Sequence, residues 1–165
     1  MVITLCGFMG SGKTTVGKVL ADFLGCPFVD LDEAIVQKAA KPIKTLFALY
    51  GEAAFRQMEA AILRQIVEKY GENTVVIALG GGAVTTPASD LLLREKTVCI
   101  YLKASLETIL QRLEGETEGR PLADEKLSER FAEREPLYEK TAHVIVDTDG
   151  LSPEEVADEI VISCL

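Results

Sequence analysis

Gly7-Phe8-Met9-Gly10-Ser11-Gly12-Lys13-Thr14 spells G-x-x-x-x-G-K-T, the spacing of a loop that holds phosphate. Glycines at this spacing let backbone N–H groups wrap around phosphate oxygens, and a helix opening just behind them points its positive end at the anion. Gly10, Ser11, Gly12, Lys13, Thr14 and Thr15 are therefore the candidate nucleotide-binding set. Lys13 is expected to reach the β- and γ-phosphates and the Thr14 hydroxyl to ligate Mg²⁺. Asp30 and Asp32 flank Leu31 at the end of a short apolar run, a spacing that puts two carboxylates on one face of a strand. One can sit in a magnesium shell and the other can take a proton from a hydroxyl, although Asp32 before Glu33 also fits a helix N-cap. Gly80-Gly81-Gly82 allows close backbone approach to a ligand and free N–H donors, or else forms a plain turn.

These groups need elements to position them. Val2 to Cys6 is a β-branched, apolar run before the loop; Val16, Val19, Leu20, Phe23 and Leu24 recur at helical spacing after it, with Gly25 as a stop. Strand and helix signals then alternate. Strands are expected at Pro27 to Asp30, Thr74 to Leu79, Val98 to Leu102 and Ala142 to Val146. Helices are expected from Asp32 to about Ala40, from Ile43 to Tyr50 (closed by Gly51), and from Glu52 to Tyr70. A further helix has Pro87 in its first turn, Ser105 caps the next, and Glu125 to Tyr138 is helical apart from Pro136. Ser152-Pro153-Glu154-Glu155 is a capping box opening the last helix. Non-alternating apolar strands separated by helices predict an α/β fold, a parallel sheet covered on both faces. Ligands bind such sheets beyond the carboxyl ends of the strands, where the three clusters above all fall.

The chain has 165 residues, suited to a single domain over 1–165, and a net charge of −9, which argues against a nucleic-acid or anionic-membrane partner. No apolar run is long enough to span a bilayer, and no signal peptide is expected before the first strand. Cys6, Cys26, Cys99 and Cys164 lack metal-type spacing and fall in apolar stretches, so buried reduced thiols and a cytoplasmic location are expected. The lone His143 reads as structural. Phe47, Phe55 and Met58 read as core before substrate wall.

Taken together, the Gly7–Thr14 loop, Asp30-Leu31-Asp32, Gly51-Glu52-Ala53-Ala54-Phe55-Arg56, Gly80-Gly81-Gly82, Arg120-Pro121-Leu122 and Arg134-Glu135-Pro136-Leu137-Tyr138 resemble the motifs of shikimate kinases over nearly the whole chain, in order and spacing. These are small phosphate-loop enzymes of the nucleoside-monophosphate-kinase-like group. The resemblance implies a three-layer α/β/α P-loop kinase fold with a five-stranded parallel sheet. It also implies a small helical substrate-binding region at about 32–61 and a mobile lid at about 115–124. The implied reaction is transfer of the γ-phosphoryl group of ATP to the 3-hydroxyl of shikimate, with Mg²⁺, in aromatic amino-acid biosynthesis by way of chorismate. It implies that Asp32 binds the shikimate hydroxyls as candidate base, with Asp30 and Thr14 at the magnesium. Arg56 and Arg134 would hold the substrate carboxylate, and the Gly80–Gly82 backbone would meet the ring hydroxyls. Arg120 would come in on the lid and act with Lys13 on the transferring group, while Arg112 would lie against adenine. The loop Asp147 to Leu151 carries no arginine, where the family often has one.

Planar guanidiniums suit a carboxylate because each offers paired donors in a fixed fork. On Arg134's own helix the facing positions Arg130, Phe131, Leu137 and Tyr138 include no acid. Two other readings stay open at this point: a kinase for another carboxylated polyol such as gluconate, and a non-catalytic nucleotide-sensing module. A monomer using small-molecule substrates is expected.

Overall fold

The computed structural model describes residues 1–116 and 125–164. Five strands, β1 (Val2–Cys6), β2 (Phe28–Asp30), β3 (Val75–Ala78), β4 (Val98–Lys103) and β5 (Val144–Asp147), form one parallel sheet in the order β2-β3-β1-β4-β5. β1 lies in the centre, pairing Val2 with Val75 on one side and Ile3 with Val98 on the other. The chain therefore winds outward from β1 in both directions, and the crevice at its carboxyl end is where such a sheet binds ligands.

Alternation along the strands splits the core into two layers. Val2, Cys6, Val75, Ile77, Cys99 and Tyr101 face helices α2 (Leu31–Ala39), α3 (Ile43–Tyr70) and α4 (Pro87–Lys96), together with α5 (Leu106–Glu116) and α6 (Glu125–Thr141). Ile3, Leu5, Val76, Ile100, Leu102 and Val146 face α1 (Lys13–Leu24) and α7 (Pro153–Cys164). Helices cover both faces of the sheet, as the continuous apolar strands require.

Most of the expected boundaries hold for local reasons. Gly25 ends α1 in the left-handed region, and Pro87 opens α4 at its first turn. The Ser105 hydroxyl accepts the Thr108 N–H at 3.2 Å. Ser152 and Glu155 form a reciprocal box, with bonds of 3.1 Å each way. The two helices expected on either side of Gly51 run on as α3 with a kink there, at φ 81° and ψ 171°, a conformation that glycine alone adopts without strain.

Three details differ. β5 begins at Val144 rather than Ala142, because α6 continues through Pro136 to Thr141. A 3₁₀ turn (Ala83–Thr85) follows the glycine triplet. Cys6 and Cys99 are buried, whereas Cys26 and Cys164 are only half-buried; all four are free thiols. His143 is structural as expected. Its Nδ1 accepts the Cys99 N–H at 2.9 Å, and its Nε2 lies 2.9 Å from the Arg94 carbonyl. Among the described residues, no helix is long and apolar enough to cross a membrane.

Candidate active site

The loop between β1 and α1 is shaped by its glycines. Gly10 and Gly12 have φ of 77° and 94°, and Gly12 serves as the N-cap of α1. A turn of this kind leaves successive N–H groups turned inward toward a bound anion. Lys13 Nζ donates to the carbonyls of Gly7 at 2.7 Å and Phe8 at 2.9 Å, so the loop holds its own cation. Burial lowers the pKa of that amine to about 8, with Arg134 adding to the shift and Cys6, Asp32 and Asp30 opposing it. A phosphate arriving here meets a poorly solvated ammonium, an arrangement that strengthens the attraction between them.

The helix cap that the sequence offered at Asp32 falls instead on Asp30. β2 ends at Asp30, so Asp30 caps α2 and Asp32 stands in its first turn. Asp30 Oδ1 accepts the Glu33 N–H at 3.1 Å, and Oδ2 accepts from the Thr14 hydroxyl at 3.0 Å. The strand-to-helix turn, not the pleat of a strand, brings them to one cleft. Burial raises the pKa of Asp32, as does the charge of Asp30, while Lys13 and Arg56 pull it down. Asp32 Oδ1 lies against Gly80, only 2.9 Å from where a Cβ on that residue would stand.

Arg56 projects from α3 just after the Gly51 kink. It is mostly buried, with 15% of its side chain exposed, which an ordinary surface charge would not be. Its Nη1 meets Glu59 Oε1 at 2.8 Å, and its guanidinium lies over the rings of Phe47 and Phe55 at 5.8 and 5.2 Å. Gly82 provides the room: a Cβ there would fall 2.6 Å from the Arg56 Cζ. Arg134, on α6, reaches the same glycine segment, with Nη1 3.5 Å from a Cβ built on Gly81. It has no acidic partner among the described residues. Asp32, Phe47, Phe55, Arg56, Gly80–Gly82 and Arg134 together line a cavity of about 630 Å³. Phe47 and Phe55 are thus wall as well as core, whereas Met58 packs on the core and does not line the cavity.

A second cavity, of about 340 Å³, lies on the other side of the loop, between Gly10, Gly12, Thr15, Arg112, Leu151 and Pro153. Arg112 Nη1 donates to the Gly10 carbonyl at 3.1 Å. Met9 belongs to the first cavity and Gly10 to the second, so the phosphate loop separates two chambers.

Residues 9–165 match the sequence model of the family described as Shikimate kinase. A shikimate kinase of Enterococcus faecalis is 42% identical over 163 residues, covering 96% of this chain and 95% of the relative. One from Geobacter sulfurreducens is 44% identical over 163 residues, covering 96% and 87%. The chain belongs to the shikimate kinase family. The solved shikimate kinase of Bacteroides thetaiotaomicron superposes with a TM-score of 0.89 at 30% identity, covering 100% of this chain and 99% of that one. That of Acinetobacter baumannii, determined in complex with shikimate, gives 0.85 at 32% identity, covering 97% and 90%. The protein is accordingly an ATP-dependent kinase that phosphorylates shikimate, and it serves aromatic amino-acid biosynthesis.

For a shikimate kinase, the sequence had already pointed to most groups now found in the two chambers. Lys13, Thr14, Asp30, Asp32, Arg56, Gly80, Gly81, Gly82 and Arg134 converge on one rim, and Thr15 and Arg112 line the second chamber. Arg120 and positions 117–124 of the expected lid lie outside the described residues, while α5 carries the helix through positions 115 and 116. Glu59 was not anticipated. It is 1% exposed, and its Oε2, with no hydrogen-bond partner among the described residues, lies 3.1 Å from a Cβ built on Gly80. Burial raises its pKa despite the Arg56 guanidinium. Its spacing of three from Arg56 is the only signal the sequence offers.

Proposed function

We propose that the protein transfers the γ-phosphoryl group of ATP to the 3-hydroxyl of shikimate, giving shikimate 3-phosphate and ADP. The observation that carries this reading is the pair of chambers meeting at the phosphate loop. A triphosphate laid on the loop, with its base beside Arg112 and Pro153, ends where the first chamber begins. In that chamber Arg56 and Arg134 grip the carboxylate of the acid by paired, charge-assisted bonds. The backbone of Gly80–Gly82 approaches the ring hydroxyls, and Asp32 holds the attacking hydroxyl and accepts its proton. Lys13 neutralises charge on the transferring phosphates.

The Thr14 hydroxyl and the Asp30 carboxylate supply the hard oxygen ligands that Mg²⁺ prefers, and they already stand together. When bound there, the ion neutralises charge on the phosphate tail. Catalysis in this reading is positioning plus charge stabilisation, with no covalent intermediate on the protein.

Measuring ADP release with shikimate, with gluconate and with no acceptor tests the assignment. Release that depends on shikimate is expected. Preference for gluconate would reassign the substrate, and ATP binding without acceptor-dependent turnover would favour a nucleotide-sensing role.

A further inference from the structure

Tyr138 is a large buried side chain beside the site, and no role above uses it. It lies four residues after Arg134 on α6, so it stands one turn further along the same helix face. Its ring is 1% exposed and packs against Tyr101 with centroids 5.1 Å apart. Its hydroxyl donates to the carbonyl of Gly81, and the Arg134 guanidinium stands beside the phenolic oxygen. Burial pushes the phenol well above its ordinary pKa, so it remains a donor at any pH at which the protein works.

Gly81 is where three parts of the site meet. A Cβ built on it would lie 3.5 Å from Arg134 Nη1, 3.6 Å from the Met9 N and 3.9 Å from the Gly7 carbonyl. Arg134 comes from α6 and the glycine segment follows the end of β3, two parts far apart in the chain that meet in space. The phenol touches both. It does not line the substrate chamber, whereas its neighbour Leu137 does.

We infer that Tyr138 is a positioning residue that fixes the Arg134 guanidinium against the Gly80–Gly82 segment, so that carboxylate grip and hydroxyl contacts are held at one spacing. The inference rests on the proposed placement of shikimate between those groups. A purely structural anchor is available for comparison on the same helix: the buried Thr141 hydroxyl donates to Asp90 Oδ1 at 2.6 Å, away from the chamber.

Tyr138→Phe removes the hydroxyl and keeps the ring. Steady-state kinetics should show the KM for shikimate rising about 5- to 20-fold, with the KM for ATP and kcat within about twofold of wild type. Thr141→Val should lower the melting temperature without a selective change in shikimate KM. In an Arg134→Lys background, Tyr138→Phe should add little to the KM already raised, because the two act through one another. Three results overturn the inference: an unchanged shikimate KM, both KM values rising together with a lower melting temperature, or an undiminished effect in the Arg134→Lys background. Wild-type protein that forms no ADP with shikimate would overturn the functional reading and this inference with it. A normal wild type beside an unaltered Tyr138→Phe would remove this inference alone.

Discussion

Asp32 and Glu59 both present carboxyl oxygens to Gly80, and burial pushes both toward the protonated form. For Asp32 this suits the proposed task, because a carboxylate whose pKa is raised accepts a proton more readily than an ordinary one. The sign follows from linkage. With the folded pKa above the unfolded one, protonating Asp32 favours the fold, and that gain disappears as pH rises through the folded pKa. At neutral pH the ionised group therefore costs stability. Asp32→Asn should lower turnover by about 10²- to 10⁴-fold while melting no lower than wild type and keeping its ADP affinity. Wild-type turnover in that variant would assign the proton to another acceptor. In wild type, kcat/KM should fall on acidification at a pH above the usual aspartate range. Asp32 was legible because two acids flanking one residue at a strand end are unusual. Glu59 was not, since a single glutamate on a long amphipathic helix looks like one more solvated charge. Only the fold of α3 against the glycine triplet removes it from water.

Among elements, the segment after β3 has the tightest tolerance. Gly82 has φ −106° and ψ 6°, a backbone that alanine can adopt, so the constraint there is space. Its missing side chain leaves room for Arg56, and a methyl group would fall 2.6 Å from Cζ and 2.8 Å from Nη1. The atoms in the way belong to the end of a flexible side chain, so Gly82→Ala should fold and displace the guanidinium. Kinetics should show shikimate KM raised about tenfold or more, ATP KM unchanged and a melting temperature close to wild type. A KM that stayed put would mean that Arg56 does not meet the substrate. Strand ends, caps and helix stops were readable because glycine, proline and capping residues act locally. The extension of α6 beyond Tyr138 to Thr141, and the later start of β5 that goes with it, were not. Nothing in the residue types after Tyr138 announces that the buried bond from Thr141 to Asp90 will hold a last turn there.

Over the whole molecule, a net charge of −9 coexists with Lys13, Arg56 and Arg134 gathered at one rim. An anionic substrate is repelled by most of the surface and drawn to a small part of it, so capture should depend on ionic strength. Raising salt should lower kcat/KM for shikimate by several-fold while kcat changes little; an insensitive kcat/KM would mean that the rim exerts no pull beyond contact distance. The order of the strands carries a consequence for biosynthesis. Because β1 precedes both of its partners in the chain, it finds no neighbour until residues 75–78 and 98–103 have been made. Until then its backbone N–H and C=O groups lie unpaired beside apolar side chains, a state in which such segments are prone to misassociate. Because Leu151 and Pro153 complete its lining, the nascent chain gains its nucleotide pocket only once α7 is being made, so a translational pause before β4 would leave an immature, unligandable intermediate for chaperones to shield.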